Sequence, residues 1–200
     1  MYEAFIRDLD ARLTTSGFSV LWFHWPDDPG FGRYVPGATA VLPQRGLDLG
    51  GRMMAAFEEA FACGYAPVVM IGADVPHVEL DGIRLAAERL ASGADIVVGP
   101  ARDGGYCLMG LGGSTPGVFE GIPWGSSRVY EMTMQRIAAL GLQVDTLPVS
   151  FDVDEAADLD RLAGVLEEDA AALPRTRALL AEMGLLAPGS ANGRARRRGG

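Results

Sequence analysis

The chain has 200 residues, of which 48% are hydrophobic and 22% are charged, a composition typical of one globular domain with a full core. Its formal net charge of −9 argues against nucleic acid as the main partner. No apolar run approaches the roughly 20 residues that span a bilayer, and no signal peptide opens the chain, so we expect a cytoplasmic protein that does not enter the membrane. We expect the two cysteines, Cys63 and Cys107, to be reduced and buried.

Hydrophobic periodicity predicts helices that alternate with short strands. Six helices are predicted, at residues 2–13, from the glycine-rich turn after residue 43 to residue 64, and at 80–91, 126–140, 154–167 and 174–184. Six strands are predicted near residues 18–25, 38–42, 67–72, 95–99, 104–111 and 142–149. The alternation indicates an α/β fold with a mostly parallel sheet and flanking helices, in a single domain of residues 1–186. Residues 187–200 are rich in arginine and predict a disordered basic tail.

Two neighbouring strands depart from that alternation. The link between residues 95–99 and 104–111 is too short for a crossover helix, so these strands should not be adjacent parallel neighbours.

The apolar run Val68 to Ile71 is the strand around which the candidate site is built. It predicts a strand that is buried on both faces, followed by Gly72 and Asp74. In open α/β sheets, ligands bind beyond the carboxyl ends of the strands, which is where Asp74 lies. A carboxylate there suits a hard cation. The alternative is an ordinary loop or capping aspartate.

A second stretch with chemical potential is Asp103, Gly104, Gly105 and Tyr106. Two glycines would let a ligand approach the backbone closely, and the tyrosine offers a ring and a hydroxyl. The alternative is a turn between antiparallel strands, for which Asp-Gly is a strong signal.

Three further features complete the candidates. Asp152 and Asp154 either cap the helix that follows or complete a cation site with Asp74. The turn with Gln44, Gly46, Asp48 and Gly50 precedes a helix start, whose free N–H groups suit a nucleotide.

Trp124 lies in another turn, either as a lid on a sugar or as a packed anchor. No thiol or histidine metal motif, serine elbow, complete Walker loop or Rossmann fingerprint is present in the sequence.

Together these stretches resemble the GT-A-like glycosyltransferase family that includes the arsenosugar-biosynthesis enzymes and is also known as a domain of unknown function. The matching stretches are LPQRGLDLGGRMMAAFEEAF, PVVMIGADVP, DIVVGPARDGGYCLMGL, FEGIPWGSSRVYEMTMQRIAALG and FDVDEAADL, between residues 42 and 159. The wider group is the nucleotide-diphospho-sugar transferases, which include nucleotidyltransferases and bind a nucleotide and a divalent metal.

The resemblance implies a role for each candidate. Asp74 and Asp154 match metal-binding aspartates for Mg²⁺ or Mn²⁺, Gln44 matches a residue that faces the base, and residues 103–106 would line the sugar or acceptor side. We place Asp103 as the catalytic carboxylate, and Asp152 and Trp124 on the substrate side.

The chain also departs from the family. It has Ala73, Asp74, Val75, Pro76 and His77 where members have Ser-Asp-x-Pro-Asp. Members begin with a strand and a basic phosphate-binding loop that lie ahead of the first residues here, and that strand lies beside residues 68–71 in the family's sheet.

Three functions follow as alternatives. The first is a metal-dependent glycosyltransferase that uses a nucleotide sugar and a small-molecule acceptor, with Asp103 positioning or deprotonating the acceptor hydroxyl. The second is a nucleotidyltransferase that uses a triphosphate and a phosphorylated acceptor. The third is an inactive protein that binds a nucleotide or a partner without turnover. A strand edge left unpaired would favour a homodimer.

Overall fold

The computed structural model describes residues 1–169 and 172–187. The helices are α1 Tyr2–Thr15, α2 Leu49–Ala62, α3 Leu80–Ala91, α4 Val129–Ala139, α5 Ala156–Glu168 and α6 Pro174–Glu182. The strands are β1 Leu21–His24, β2 Ala40–Pro43, β3 Val68–Ile71, β4 Ile96–Pro100, β5 Tyr106–Leu111 and β6 Val144–Thr146. Each corresponds to a predicted element. The predicted tail lies outside the described residues except for Ala187, and no helix in the described ranges is long and apolar enough to cross a bilayer.

The main sheet has four strands in the order β3-β5-β4-β6. Strand β5 is antiparallel to both of its neighbours, whereas β4 and β6 are parallel, so β3, β4 and β6 run in one direction. This confirms the α/β fold with a mostly parallel sheet. It also confirms that the short link between β4 and β5 joins antiparallel strands.

Strands β1 and β2 form a separate parallel pair, so the single predicted sheet is divided in two. Strand β3 lies at an edge of the four-stranded sheet, and its four residues are only half-buried. The prediction of a strand buried on both faces is therefore wrong for β3, whereas the residues of β4 are all buried. The physical reason is that β3 has a strand partner, β5, on one side only among the described residues.

The pairing of β3 with β5 also sets the direction of its backbone groups. The N–H of Gly72 donates to the carbonyl of Cys107 at 3.4 Å. Because antiparallel pairs alternate between bonded and non-bonded positions, the N–H groups of Val68 and Met70 face β5 and those of Val69 and Ile71 face away.

Helices cover both faces of the main sheet. Residues of α1 and α3 pack on the face that includes Val97, and residues of α2 and α4 pack on the face that includes Ile96 and Val98. The carboxylate of Asp8 in α1 accepts a hydrogen bond from the backbone N–H of Thr176 at 2.8 Å, which ties the start of α6 to α1.

The packing settles the surroundings of three single residues, two of which are the cysteines. His24 stacks on Phe31 with ring centroids 4.7 Å apart, and so is a packed side chain. Both cysteines are free thiols, but only Cys107 is buried; Cys63 is exposed, because it follows the last turn of α2 at the surface.

Candidate active site

Three carboxylates converge beyond the end of β3. Asp74, Asp152 and Asp154 each offer one oxygen, and these oxygens all lie within 4.8 Å of one another. The predicted proximity of Asp74 and Asp154 is confirmed. Asp152, which the sequence placed either in a cation site with Asp74 or on the substrate side, belongs to the same group.

The two segments that carry these residues are joined by backbone hydrogen bonds. The N–H of Val153 donates to the carbonyl of Asp74 at 2.9 Å. Upstream, residues 147–150 continue beside β4, because the N–H of Leu147 donates to Val98 at 2.8 Å and that of Ser150 to Pro100 at 2.9 Å. This extension carries Asp152 and Asp154 past the end of β4 and towards Asp74.

A glycine makes room for the Asp74 carboxylate. A Cβ atom added at Gly72 would overlap the Oδ1 atom of Asp74. The glycine at the end of β3 is therefore needed for the carboxylate to fold back over the strand end.

Neither Asp152 nor Asp154 caps the helix that follows. Glu155 is the N-cap of α5 and forms a capping box with Asp158, whose Oδ2 accepts a hydrogen bond from the N–H of Glu155 at 3.0 Å. The interpretation of the two aspartates as caps alone is therefore wrong.

The charged forms of Asp74 and Asp152 are destabilised at this site. Burial raises the pKa of Asp74, and the charges of Asp154 and Asp152 raise it further. Burial also raises the pKa of Asp152, with the charges of Asp103 and Asp154 adding to it. Carboxylate oxygens are the ligands that Mg²⁺ and Mn²⁺ prefer, and a bound cation would offset this repulsion, so the donor set fits a divalent metal.

Asp103 lies near this group without belonging to it. The residue is exposed, and its Oδ1 accepts a hydrogen bond from the N–H of Gly105 at 2.8 Å. Its charge contributes to the raised pKa of Asp74. The turn that it opens joins antiparallel β4 and β5, as the hairpin interpretation predicted, and Gly104 adopts a φ of +93° against the backbone of Ser127.

The glycine-rich turn before α2 has structural partners of its own. The Oδ1 of Asp48 accepts a hydrogen bond from the N–H of Gly51 at 2.7 Å and caps α2. The side-chain amide of Gln44 donates to the carbonyl of Phe23 at 3.2 Å, and Gly46 has a φ of +142°. The nucleotide contacts of this turn stay predictions.

Trp124 links the two glycine-rich turns. A Cβ atom added at Gly50 would come 2.8 Å from the Trp124 ring, and the Tyr106 ring lies edge-on to it with centroids 6.4 Å apart. The Tyr106 hydroxyl lies 3.9 Å from the sulfur of Met53, and burial raises its pKa. The Trp124 ring thus packs against Gly50 and Tyr106, and the substrate contacts of Trp124, Tyr106 and Gly105 stay predictions.

Sequence reasoning missed three residues beside the carboxylates. The Tyr2 hydroxyl donates to Oδ1 of Asp154 at 3.5 Å. Arg12 donates to the carbonyl of Pro76 in the loop after β3, and His77, which lies in that loop, stacks on Phe151. Tyr2 and Arg12 lie on α1, far along the chain from the carboxylates, and no motif marks them. His77 follows Asp74 by three residues, and that spacing was the available signal.

Comparison with known proteins supports the fold. The chain is similar to the crystal structure of the "putative nucleotide-diphospho-sugar transferase" from Desulfovibrio desulfuricans G20, with a TM-score of 0.82 and 33% identity over 92% of this chain and 82% of that one. It is also 28% identical over 163 residues to the 2-phospho-L-lactate guanylyltransferase of Methanocella arvoryzae. That match covers 78% of this chain and 65% of the relative, so the chain spans just under two thirds of that protein's length.

The family follows from a third comparison. Residues 9–126 match the family described as "Uncharacterized protein conserved in bacteria (DUF2064)". The narrower resemblance to arsenosugar enzymes stays a prediction. Because the match spans more than half of the chain, the protein belongs to this family, on a fold that it shares with a nucleotide-diphospho-sugar transferase.

Proposed function

We propose that the protein is a divalent-cation-dependent transferase that moves a nucleotidyl group from a nucleoside triphosphate to a small acceptor carrying a phosphate. The observation that carries this proposal is the convergence of Asp74, Asp152 and Asp154 within 4.8 Å at the end of β3. The name of the M. arvoryzae relative, a guanylyltransferase, favours this reaction class.

The three carboxylates would hold Mg²⁺ or Mn²⁺. When bound, such a cation neutralises charge on the phosphates of a nucleotide and on the leaving group. The residues of the glycine-rich turn, Gln44 to Gly50, would contact the nucleotide, and the N–H groups at the start of α2 suit an anion or a base edge.

Asp103 would act on the acceptor side. In nucleotidyl transfer the attacking group is an acceptor phosphate, which is already ionised at neutral pH and needs no general base. Asp103 would then orient the acceptor through a hydrogen bond, together with the backbone of Gly104 and Gly105.

A second candidate is glycosyl transfer from a nucleotide sugar. The name of the D. desulfuricans protein, which is 33% identical, favours it. Here the acceptor is a hydroxyl group, and Asp103 would accept its proton as a general base. The predicted cation site is common to both reactions, so the carboxylates alone do not separate them.

The products separate the two reactions. The protein is incubated with Mg²⁺ or Mn²⁺ and either nucleoside triphosphates plus phosphorylated hydroxy acids, or UDP- and GDP-sugars plus small alcohols and sugars. Pyrophosphate release indicates nucleotidyl transfer, and nucleoside diphosphate release indicates glycosyl transfer. Asp74→Asn should abolish either, and Asp27→Asn, an exposed aspartate in the loop after β1, is the control.

Ligand binding gives a test that does not need turnover. A nucleotide that binds the folded state raises the unfolding temperature. Cation-dependent stabilisation that is lost in Asp74→Asn, without either product, would favour a nucleotide-binding protein without turnover. If no nucleotide stabilises the parent more than Asp74→Asn in the presence of Mn²⁺, the proposed function is wrong.

A further inference from the structure

We propose that His77 and Arg12 are positioning residues that hold the loop after β3 against the segment before α5, so that the three carboxylates converge. This proposal rests on the proposed function for the reason why the carboxylates converge. The contacts from which it is argued do not depend on that function.

The His77 ring joins the two loops directly. It stacks on the ring of Phe151 with centroids 4.1 Å apart and an interplanar angle of 25°. Its Nε2 atom also lies 3.4 Å from the hydroxyl of Ser150. His77 follows Asp74 by three residues and Phe151 directly precedes Asp152, so the stacked pair lies next to the carboxylates on both segments.

Arg12 holds the same loop from the side of α1. Its guanidinium donates to the carbonyl of Pro76 at 2.6 Å and to that of Val78 at 3.0 Å. These two carbonyls flank His77 in the chain. Removing the guanidinium would leave both without this charge-assisted partner and would free the loop to move.

Such support is needed because the carboxylates push the segments apart. Among the described residues, the direct backbone link between them is the hydrogen bond from Val153 to Asp74. Burial lowers the pKa of His77 to about 4, with the charge of Arg12 adding to it, so His77 is neutral at pH 7. A neutral ring packs against Phe151 with no charge to desolvate, and one cation, Arg12, satisfies the carbonyls behind it.

The first test measures this link in the metal-free protein. Amide hydrogen exchange of Val153, divided by that of Ile96 in the core, reports local opening of the segment. We expect His77→Ala to raise this ratio about tenfold and His77→Phe, which keeps a ring for stacking, to stay within about threefold of the parent. His24→Ala is the matched control, because His24 is likewise stacked on a phenylalanine, Phe31.

Arg12→Gln tests the second contact. We expect it to raise the Val153 exchange ratio about tenfold as well. The control is Arg136→Gln, because Arg136 also donates to a backbone carbonyl, that of Gly117 at 2.7 Å, but in another part of the fold.

If His77→Ala does not fold, Phe151→Leu is measured instead, since it removes the same ring contact and keeps an apolar side chain.

A titration with Mn²⁺ alone links the contacts to the site. We expect His77→Ala and Arg12→Gln to bind Mn²⁺ about tenfold more weakly than the parent, and His77→Phe to retain affinity within about threefold. Rescue by phenylalanine distinguishes ring stacking from a general loss of stability.

The outcomes separate the two proposals. If Val153 exchange in His77→Ala and Arg12→Gln stays within about twofold of the parent, the positioning proposal is wrong whatever the metal does. A His77→Phe variant that opens as fast as His77→Ala would also overturn the stacking role. If the exchange rates change as expected but the parent binds no Mn²⁺, the positioning role stands and the cation site of the proposed function fails.

Discussion

Replacing Asp74 with asparagine should stabilise the metal-free protein. The carboxylate oxygens of Asp74, Asp152 and Asp154 lie within 4.8 Å of one another, and like charges at that distance repel. Asparagine keeps the shape of the side chain and removes its charge. The site is therefore expected to be built at a cost in stability, which the Asp74→Asn variant recovers.

The distance sets the size of the effect. Two unit charges 4.8 Å apart repel by about 0.9 kcal/mol at the dielectric constant of water and by about 3.5 kcal/mol at an effective value near 20. Asp154 is exposed and Asp152 is only half-buried, so solvent screening places the effect towards the lower figure for each of the two pairs that Asp74 makes. A total gain of about 1–2 kcal/mol corresponds to a rise in Tm of roughly 2–8 °C for a chain of this size.

Thermal unfolding at pH 8 in EDTA and low salt measures this gain. Asp27→Asn removes the same charge from an exposed loop and should leave the Tm within about 1 °C of the parent. Because the folded pKa of Asp74 is raised, the advantage of Asp74→Asn should shrink as the pH falls through that pKa and the parent carboxyl becomes protonated. An Asp74→Asn variant less stable than the parent in EDTA at pH 8 would refute the reasoning.

Three further predictions follow from neighbouring features. Gly72→Ala should weaken Mn²⁺ binding about tenfold, because its Cβ would displace the Asp74 carboxylate. Gly82→Ala in α3, whose Cβ has ordinary space, should leave the affinity unchanged, and equal Mn²⁺ affinities of the two variants in a titration would contradict this prediction. The depressed pKa of His77 predicts that the parent loses stability relative to His77→Phe as the pH falls from about 6.5 to about 4, by about 3 kcal/mol at most. Urea denaturation at stepped pH measures this loss, and a stability difference between the two proteins that does not change with pH would contradict the prediction. In dilute protein, the outward-facing amides of Val69 and Ile71 should exchange faster than those of Val68 and Met70, which face β5. If the outward-facing amides become protected at high protein concentration and light scattering gives a doubled mass, the protein forms a homodimer through this edge.

The helices and strands could be predicted well because each depends mainly on signals within its own stretch of sequence. The apolar run at residues 68–71 and the 3.6-residue spacing of residues 83, 87 and 90 depend on the chain's immediate neighbourhood. The edge position of β3 depends instead on which strands pair with it, and nothing within residues 67–76 encodes that. The same limit explains why one sheet was expected where two are found.

The candidate site was predicted in part for a similar reason. Asp74 could be singled out because ligands bind beyond the ends of buried strands, and that rule needs only the strand and its end. The membership of Asp152 depends on residues 147–150 continuing beside β4, and the roles of Arg12 and His77 depend on contacts between segments distant in the chain. Because Glu155 caps α5, Asp152 and Asp154 are free of a capping role, whereas the sequence alone was compatible with both a capping and a cation-binding interpretation.

The most direct test of the central claim is a calorimetric titration of GTP into the parent and into Asp74→Asn, each with Mn²⁺ and with EDTA. If the three carboxylates form a cation site that serves a nucleotide, the parent should bind GTP with Mn²⁺, lose at least about tenfold in affinity with EDTA, and lose a similar factor through Asp74→Asn. Equal affinity with and without the cation, or undiminished Mn²⁺-dependent binding in Asp74→Asn, would contradict that account.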